Sequence, residues 1–493
     1  MTNKKMNIVI AGGGTAGWIA AAALSHQMGE LLDITLVESQ QIGTIGVGEA
    51  TIPPMRTFHR LLGIDEQEFM RATNATFKLG IQFENWKQIG EKYIHSFGVT
   101  GKKTLINDFI HFWLRGRELG MADEFGNYCL EYKAALEERF SINDHNKLNY
   151  AFHLDAGRYA AFLRARAEAR GVQRVEGKIA EVQQNPESGF ITALKMESGQ
   201  EIPGDLFLDC TGMRGLLIEQ TLQTGFEEWG HWLPCDSAIA LQTESTSPAV
   251  PYTKSIAHHA GWRWQIPLQH RVGNGLVFSS RYLSQDEALD MLLASVDGKV
   301  LTEPNVIKFR TGKRKKSWNK NCIAMGLASG FLEPLESTSI HMIMTAVTRL
   351  LQLFPQGEIR QSIVDEYNAQ AESEFIRIRD FIILHYKATE RDDSPFWQYC
   401  KDMEVPDELA RRISLFKDYG KSYQIEDELF RLDSWTQVML GQGIFPSSYH
   451  PIVELMPERA LQNFLNSIAT DVNKNIAMMS SHHDFIKKYC ASN

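Results

Sequence analysis

Three glycines near the start of the chain have a spacing that suits a nucleotide phosphate. Gly12, Gly14 and Gly17 follow the pattern GxGxxG. The missing side chains allow a sharp turn, a close approach of the backbone to a pyrophosphate and tight packing of a helix on a strand. Glu38 stands 21 residues after Gly17, where a carboxylate accepts hydrogen bonds from an adenosine ribose. These residues predict a bound dinucleotide, but they do not say which one or what reaction it serves.

The segments around these glycines have the patterns needed to position them. An apolar run from Ile8 to Ile10 predicts a strand, the alanine-rich run from Trp18 to Leu24 predicts a helix, and Leu31 to Val37 predicts a second strand. A helix that begins at such a turn points its free N–H groups at an anion. The first forty residues therefore predict an α/β module of the Rossmann-like type.

The composition is that of an ordinary globular protein. The chain has 493 residues, 43% of them apolar and 23% charged, which is enough for two or three structural modules. Its net charge of −9 argues against nucleic acid or an anionic membrane surface as the main partner. The sequence contains no run of about 18 apolar residues, so no spanning helix is predicted. The six cysteines lack metal-like spacing, so we expect free thiols, no metal site and a cytoplasmic location.

The chain divides into two predicted modules. Residues 1–350 carry the dinucleotide motif and further predicted strands, and they include a predicted helical insertion near residues 104–150. Residues 351–493 are mostly helical in pattern.

Seven short motifs are distributed over most of residues 6–350. They read AGGGTAGW, GVGEATIP, FENW, HSFG, DCTG, GWRWQIP and GFLEPLEST. Together they resemble the flavin-dependent halogenases of the tryptophan and indole type. The GWxWxIP string is the specific one, because glycines at nucleotide loops are shared by many flavoproteins.

The resemblance implies an FAD-binding fold of the hydroxylase type and a separate flavin reductase that supplies FADH2. With oxygen, chloride or bromide is oxidised to hypohalous acid, which passes through a tunnel to an electron-rich arene. Residues 351–493 are expected to cover the substrate pocket, and the protein is expected to be a monomer or homodimer. The residues implied to bind FAD are Gly12, Gly14, Thr15, Ala16, Gly17, Glu38, Gly48, Ala50, Thr51, Gly326 and Leu335.

Two residues match the catalytic pair of this family. Lys78, flanked by Phe77 and Leu79, matches the essential lysine at the far end of the tunnel, and Glu336 matches the carboxylate that stabilises the cationic arene and accepts its proton. Lys78 acts either as a covalent chloramine or as an ammonium that polarises hypohalous acid. We expect the ammonium, because a neighbouring carboxylate opposes deprotonation. Glu336 is equally explained as a first-turn glutamate favoured by a helix dipole.

The tunnel wall is implied by two tryptophans. Trp262 and Trp264 stand at alternating positions, so they lie on one face of a strand. In the family such residues separate flavin from substrate. Two tryptophans of an ordinary core would show the same pattern.

A halide site is implied at the start of the next helix. Thr338 and Ser339 open this helix, where free N–H groups favour an anion. The family usually has glycine in place of Ser339, and this substitution motivates the hypothesis of a bromide preference. Ser337 is assigned to substrate binding and is also the predicted N-cap.

The substrate pocket matches the family only in part. His95 and Phe97 match the positions that stack on the indole. The segment from Tyr419 to Gly443 lacks the adjacent tyrosines and the Phe-Trp pair that hold an amino acid in tryptophan halogenases, although Phe430 and Trp435 offer aromatic walls. A bare indole or another electron-rich arene therefore fits better than free L-tryptophan.

Two competing functions share part of this sequence pattern. A flavin-dependent aromatic monooxygenase has the same glycine turn, the same acid and the Asp-Cys-Thr-Gly strand end. A flavin-binding protein without turnover is the other alternative. The GWRWQIP string and the presence of both Lys78 and Glu336 favour the halogenase.

Overall fold

The computed structural model describes residues 5–42, 48–142 and 148–492. The strands of these ranges are β1 (Met6–Ala11), β2 (Leu32–Glu38), β3 (Gly48–Ala50), β4 (Thr76–Lys78), β5 (Gly80–Glu84), β6 (Lys92–Ser96), β7 (Arg139–Phe140), β8 (Ala151–Asp155), β9 (Gln173–Glu176), β10 (Ile179–Gln184), β11 (Ile191–Met196), β12 (Glu201–Pro203), β13 (Leu206–Asp209), β14 (Phe226–Glu228), β15 (Ser237–Glu244), β16 (Thr253–His258), β17 (Gly261–Pro267), β18 (Arg271–Phe278), β19 (Asn305–Lys308), β20 (Gly312–Arg314), β21 (Trp318–Asn319), β22 (Cys322–Ala324), β23 (Gly330–Phe331) and β24 (Ser480–Ser481).

The α-helices of the described ranges are α1 (Thr15–Met28), α2 (Pro54–Leu61), α3 (Glu66–Ala72), α4 (Phe109–Glu118), α5 (Leu130–Leu136), α6 (Ala156–Glu168), α7 (Gln285–Ser295), α8 (Ser339–Gln352), α9 (Gln361–Lys387), α10 (Pro395–Asp402), α11 (Asp407–Tyr419), α12 (Leu432–Gly441), α13 (Glu458–Ala477) and α14 (His482–Cys490). A short 3-10 helix, Pro334–Glu336, lies just before α8.

A six-stranded sheet carries the glycine motif. Its strand order is β21-β22-β13-β1-β2-β9, and β1 runs parallel to both neighbours, with Ile8 opposite Leu206 and Ile34. The inner residues of β1 are apolar and buried, which is typical of a parallel strand covered on both faces. Glu38 and Asp209 therefore end their strands at the edge of the sheet where β1 enters the glycine turn. The predicted Rossmann-like α/β module is confirmed.

A seven-stranded sheet carries the tryptophan motif. Its order is β19-β15-β18-β17-β16-β5-β6, so β17 with the GWRWQIP string lies inside the sheet. The rings of Trp262 and Trp264 have centroids 6.1 Å apart, consistent with the predicted common face. Opposite Trp264 stands Gly275, where a Cβ would lie 1.9 Å from the indole ring. A larger residue there would displace the Trp264 indole.

A separate small sheet of order β3-β8-β4 brings together segments that are distant in the chain. Ala50 and Thr76 both stand opposite His153, and Lys78 stands opposite Ala151. This pairing places the end of β4 near Thr51, the residue that follows β3.

The C-terminal part is mostly helical, as predicted. Its longest helix, α9, buries Phe375, Ile378, Phe381 and Ile382 in an apolar core shared with Trp262. The C-terminal helices therefore pack against the seven-stranded sheet that contains Trp262. A domain boundary at residue 350 stays a prediction.

The segment near residues 104–150 contains α4, α5, a 3-10 helix at Phe125–Tyr128 and the short strand β7. Residues 143–147 lie outside the described ranges. Its interpretation as an insertion stays a prediction. All six cysteines are free and buried. In the part of the chain that the structure describes, no helix combines the length and apolar character required to cross a bilayer.

Candidate active site

At two glycines of the turn between β1 and α1, a side chain would collide with the backbone. Gly12 has a φ of +108°, and a Cβ there would lie 2.3 Å from the carbonyl oxygen of Cys210. A Cβ at Gly17 would lie 1.9 Å from the carbonyl oxygen of Gly12. At Gly14 a Cβ would meet nothing within 4 Å, so that glycine leaves open space beside the turn. The geometry agrees with the roles that the GxGxxG spacing predicts.

The start of α1 is available to an anion. The helix begins at Thr15, and among the described residues no side chain caps its first turn. The N–H groups of Thr15 and Ala16 thus remain available. A second turn, at Gly326, approaches so closely that a Cβ there would lie 2.9 Å from the Cβ of Ala16. This glycine-lined cradle fits the pyrophosphate of FAD.

Glu38 lies beside the glycine turn at the end of β2. Its carboxylate accepts a hydrogen bond from Trp18 Nε1 at 3.2 Å and another from Arg174 Nε, and Arg164 Nη1 lies 3.5 Å away. A Cβ at Gly13 would overlap the Glu38 carboxylate. Glu38 is therefore held at the position predicted for a ribose ligand, and ribose binding itself stays a prediction.

The other residues predicted to bind FAD lie on two segments. Gly48 and Ala50 belong to β3. The Thr51 hydroxyl donates to the Phe152 carbonyl oxygen at 2.9 Å and accepts from the Phe152 N–H at 3.0 Å. Leu335 is buried in the 3-10 helix before α8. Contact of these residues with FAD stays a prediction.

Lys78 is completely buried at the end of β4. Its Nζ donates to Ser337 Oγ at 2.8 Å and to the Thr51 carbonyl oxygen at 3.1 Å. The Phe97 ring centroid lies 5.2 Å from Nζ. The ammonium group is thus held by two fixed acceptors and one aromatic ring.

Burial lowers the pKa of Lys78 to about 7, although the Glu336 carboxylate raises it. The Glu336 carboxylate therefore opposes deprotonation, as expected, and the choice between the ammonium and the chloramine stays a prediction. Desolvation of a buried charge is the larger effect here. Among the described contacts, the Glu336 carboxylate does not form an ion pair with Lys78. The two residues are linked through Ser337, which follows Glu336 in the chain and accepts a hydrogen bond from Lys78.

Glu336 is fully buried between two histidines. His95 Nδ1 lies 2.8 Å from Oε2 and 3.0 Å from Oε1, and His385 Nε2 lies 2.9 Å from Oε1. Burial by itself raises the pKa of this carboxyl, but His95 and His385 lower it to about 2. Glu336 is therefore a carboxylate throughout the physiological pH range, with His95 and His385 beside it, and its explanation by a helix dipole stays a prediction.

His385 is the residue that sequence reasoning missed. It occupies the apolar face of α9, where its Nδ1 lies 2.9 Å from the Phe381 carbonyl oxygen and its ring packs 4.7 Å from that of Phe83. A histidine on an otherwise apolar helical face was the available signal. His95, predicted to stack on the substrate, instead directs Nδ1 at Glu336, and its ring lies 5.5 Å from Phe381. Substrate stacking by His95 stays a prediction.

The predicted N-cap is displaced by one residue. Ser337 has a φ of +59°, a left-handed conformation that is unusual outside glycine, and Thr338 is the N-cap of α8. From this position the Ser337 hydroxyl accepts the hydrogen bond from Lys78 Nζ. Because the Thr338 side chain makes no cap bond, the first-turn N–H groups, beginning with Ser339, remain available to an anion.

The two tryptophans of β17 are buried, and one of them is anchored. Trp262 Nε1 donates to Glu333 Oε2 at 2.9 Å, and the same oxygen accepts from the Tyr386 hydroxyl at 2.6 Å. Trp264 Nε1 has no hydrogen-bond partner within the described ranges. Only the Trp262 indole is therefore fixed by a hydrogen bond on the described contacts, and the role of the two rings as a tunnel wall stays a prediction.

An aromatic cluster lies beside His95. Phe430 stacks on Phe381 with ring centroids 3.8 Å apart, and Trp435 meets Phe381 edge-on at 4.8 Å. The Arg412 guanidinium lies 3.9 Å above Trp435 and pairs with Glu428 at 3.0 Å. Both charged side chains are 2% exposed, so they neutralise each other.

The comparisons agree with this geometry. The family model described as Tryptophan halogenase matches residues 7–458. Tryptophan 6-halogenase ThaL of Streptomyces albogriseolus is 35% identical over 93% of this chain and 93% of its own. Among solved structures, Xcc4156, a flavin-dependent halogenase from Xanthomonas campestris, is 53% identical with a TM-score of 0.98 over 99% of both chains. BrvH, a flavin-dependent halogenase from Brevundimonas sp. BAL3, is 44% identical with a TM-score of 0.95, covering 99% of this chain and 100% of its own. The chain belongs to the tryptophan halogenase family of flavin-dependent halogenases.

Proposed function

We propose that this enzyme halogenates a neutral, electron-rich arene such as indole, using chloride or bromide. Oxygen would be the oxidant, and FADH2 from a separate reductase would supply the two electrons that activate it, so that halide is oxidised to hypohalous acid and the second oxygen atom leaves as water. The observation that carries the proposal is the meeting of Lys78 and Glu336 through Ser337: the Lys78 Nζ donates to Ser337 Oγ at 2.8 Å, next to a carboxylate held by two histidines. These side chains come from distant parts of the chain and supply both groups that electrophilic halogenation requires.

Lys78 acts as the donor that polarises hypohalous acid. An ammonium has three hydrogens, of which Ser337 and the Thr51 carbonyl accept two. The third is available to the oxygen of hypohalous acid, and this bond makes the halogen more electrophilic. In the chloramine alternative, the neutral amine would attack the halogen directly.

Glu336 stabilises the cation formed on the ring when halogen adds. A permanent negative charge in a buried site acts strongly on a developing positive charge. The halogenated ring cation is a far stronger acid than a carboxylic acid with a pKa of about 2, so its proton passes readily to Glu336. The His95 and His385 contacts keep the acceptor ionised and oriented.

The halide lies at the start of α8, on the N–H groups that follow Thr338. Ser339 adds a hydroxymethyl group where the family usually has glycine, and we propose that this changes halide preference in favour of bromide. Competition between equal concentrations of chloride and bromide, read by product mass, tests the preference. Equal incorporation of both halogens would remove it.

The substrate is neutral rather than a free amino acid. A tryptophan zwitterion needs partners for its ammonium and carboxylate groups. The buried charges of the neighbouring aromatic cluster, Arg412 and Glu428, are paired with each other at 3.0 Å. Neither charge is therefore free to receive a zwitterion unless this buried pair first opens.

Product mass tests the proposal against its alternatives. The purified protein is mixed with FAD, a flavin reductase, NADH, bromide or chloride, and either indole or L-tryptophan. We expect replacement of hydrogen by halogen on indole, with little conversion of tryptophan. Gain of oxygen would identify a monooxygenase, and absence of any product over an arene panel would favour a flavin-binding protein without turnover.

A further inference from the structure

Glu333 is a buried carboxyl that the reaction described above does not use. It precedes the 3-10 helix Pro334–Glu336 and is 0% exposed. Its Oε2 accepts hydrogen bonds from Trp262 Nε1 at 2.9 Å and from the Tyr386 hydroxyl at 2.6 Å. Its Oε1 has no hydrogen-bond partner in the described parts of the chain. Burying a carboxyl costs free energy, and the two hydrogen bonds offset part of that cost.

Glu333 and Glu336 both contact α9. Both glutamates belong to one short turn, and each contacts one of two consecutive residues of α9: Glu333 contacts Tyr386, and Glu336 contacts His385. Through these contacts, α9 supports both the Glu336 carboxylate and, by way of Glu333, the Trp262 indole.

Among the described residues, no positively charged side chain pairs with the buried carboxyl of Glu333. In the described residues it forms no ion pair within 4 Å, and the titratable groups that face it are Tyr386, Cys235 and Cys400. Burial raises the pKa of Glu333 to about 7, against the hydrogen bonds from Trp262 and Tyr386. The two donors are thus its only polar support on the described contacts.

We propose that Glu333 is a positioning residue that fixes the Trp262 indole and so keeps the wall between flavin and substrate closed. The inference rests on the proposed function. An indole without a hydrogen bond at Nε1, such as that of Trp264 on the described contacts, can tilt about its side-chain torsions. A bond to Nε1 opposes this tilt, and the Tyr386 hydroxyl holds the acceptor in place from α9.

The test compares three variants with one control. Glu333→Leu removes both hydrogen bonds, Tyr386→Phe removes the support from α9, and Glu333→Gln keeps an acceptor for Trp262. Glu374→Leu is the matched control, because Glu374 is a largely buried carboxylate of α9 that accepts from Thr345 and Arg349 instead. If Glu333→Leu fails to fold, Tyr386→Phe and Glu333→Gln provide the comparison.

The first measurement is the indole N–H resonance of Trp262 in 15N-tryptophan-labelled protein, assigned with Trp262→Phe. It requires neither turnover nor bound flavin. We expect a clear shift in Glu333→Leu, a smaller one in Tyr386→Phe, and the wild-type position in Glu374→Leu. An unchanged resonance in Glu333→Leu would overturn the inference, whether or not the wild-type protein halogenates indole.

The second measurement is the yield of haloarene per FADH2 consumed, with hydrogen peroxide assayed in parallel. Without its hydrogen bond the Trp262 indole can tilt, so we expect a fall of about tenfold in yield for Glu333→Leu, with a matching rise in peroxide. Glu333→Gln should restore the yield. A wild-type yield in a Glu333→Leu protein whose Trp262 resonance has moved would also overturn the inference. Absence of haloarene from the wild-type protein would instead refute the proposed function.

Discussion

The two ends of the predicted tunnel are built in different ways. At the predicted flavin end the cradle is mostly backbone: Gly12 and Gly17 are glycines because a Cβ would strike a carbonyl oxygen, and no described side chain caps the first N–H groups of α1. At the substrate end the site is made of side chains, with Lys78, Glu336 and His385 contributed by β4, a 3-10 turn and α9. A backbone site depends on local conformation, whereas a side-chain site depends on how distant elements pack.

The largest expected effect is at the substrate end. Glu336→Gln keeps the shape of the side chain but removes the charge that stabilises the ring cation. We expect the halogenation rate to fall by about 10² to 10⁴-fold, while FAD affinity stays at the wild-type value. Steady-state product formation and flavin titration measure the two quantities. Glu374→Gln is the control, and a parental rate in Glu336→Gln would contradict the assignment.

At the flavin end, alanine substitutions at two glycines of the same turn should impair different properties, namely stability and FAD binding. Gly12→Ala introduces a clash and an unfavourable φ, so we expect it to destabilise the protein without FAD by about 1 to 3 kcal/mol. Gly14→Ala has free space around its Cβ and should leave that stability unchanged, yet weaken FAD binding by about tenfold because the pyrophosphate must approach there. Thermal unfolding without FAD and flavin titration check both. Equal destabilisation by the two substitutions would contradict a backbone-built cradle.

His385 provides the next comparison. His385→Phe removes the 2.9 Å contact with Glu336 but keeps a ring beside Phe83. The pKa of Glu336 should rise, and turnover should fall by about tenfold. The control is His59→Phe, because His59 is a buried histidine that contacts Tyr159 instead. Turnover equal to that of the wild type in His385→Phe would show that His95 alone suffices.

The smallest effect concerns pH. The pKa of Lys78 is lowered to about 7, so the ammonium is lost as pH rises through that value. If the ammonium donates to hypohalous acid, turnover should fall by about fivefold between pH 7 and pH 8. Glu336 stays ionised over this range. A turnover that instead rises with pH, in reactions fed with a fixed supply of FADH2, would identify the neutral amine and the chloramine mechanism.

The contrast between the two ends also explains what could be predicted from the sequence. The glycine turn, its two flanking strands and α1 are local, so a motif of a few residues was sufficient. The common face of Trp262 and Trp264 followed from strand alternation. The helical character of the C-terminal part followed from its apolar periodicity.

The substrate end required packing information that no local pattern holds. His385 meets Glu336 only because α9 packs against the 3-10 turn, and its helical spacing resembles that of a core residue. The N-cap position was missed because Ser337 adopts a left-handed conformation, which serves Lys78. The sign of the Lys78 pKa shift depends on complete burial, and burial cannot be weighed against a nearby carboxylate from spacing alone.

The separation of the two ends is tested by Lys78→Met in one assay with two readouts. Bromide, oxygen and FADH2 are supplied, hypobromous acid is measured with a chemical trap, and bromoindole is measured by mass spectrometry. The exposed Lys315→Met variant is the control. We expect trapped hypobromous acid close to the parental amount, with bromoindole reduced by about 10² to 10⁴-fold. Bromoindole at the parental rate, or loss of hypobromous acid together with bromoindole, would contradict the assignment of Lys78 to halogen transfer alone.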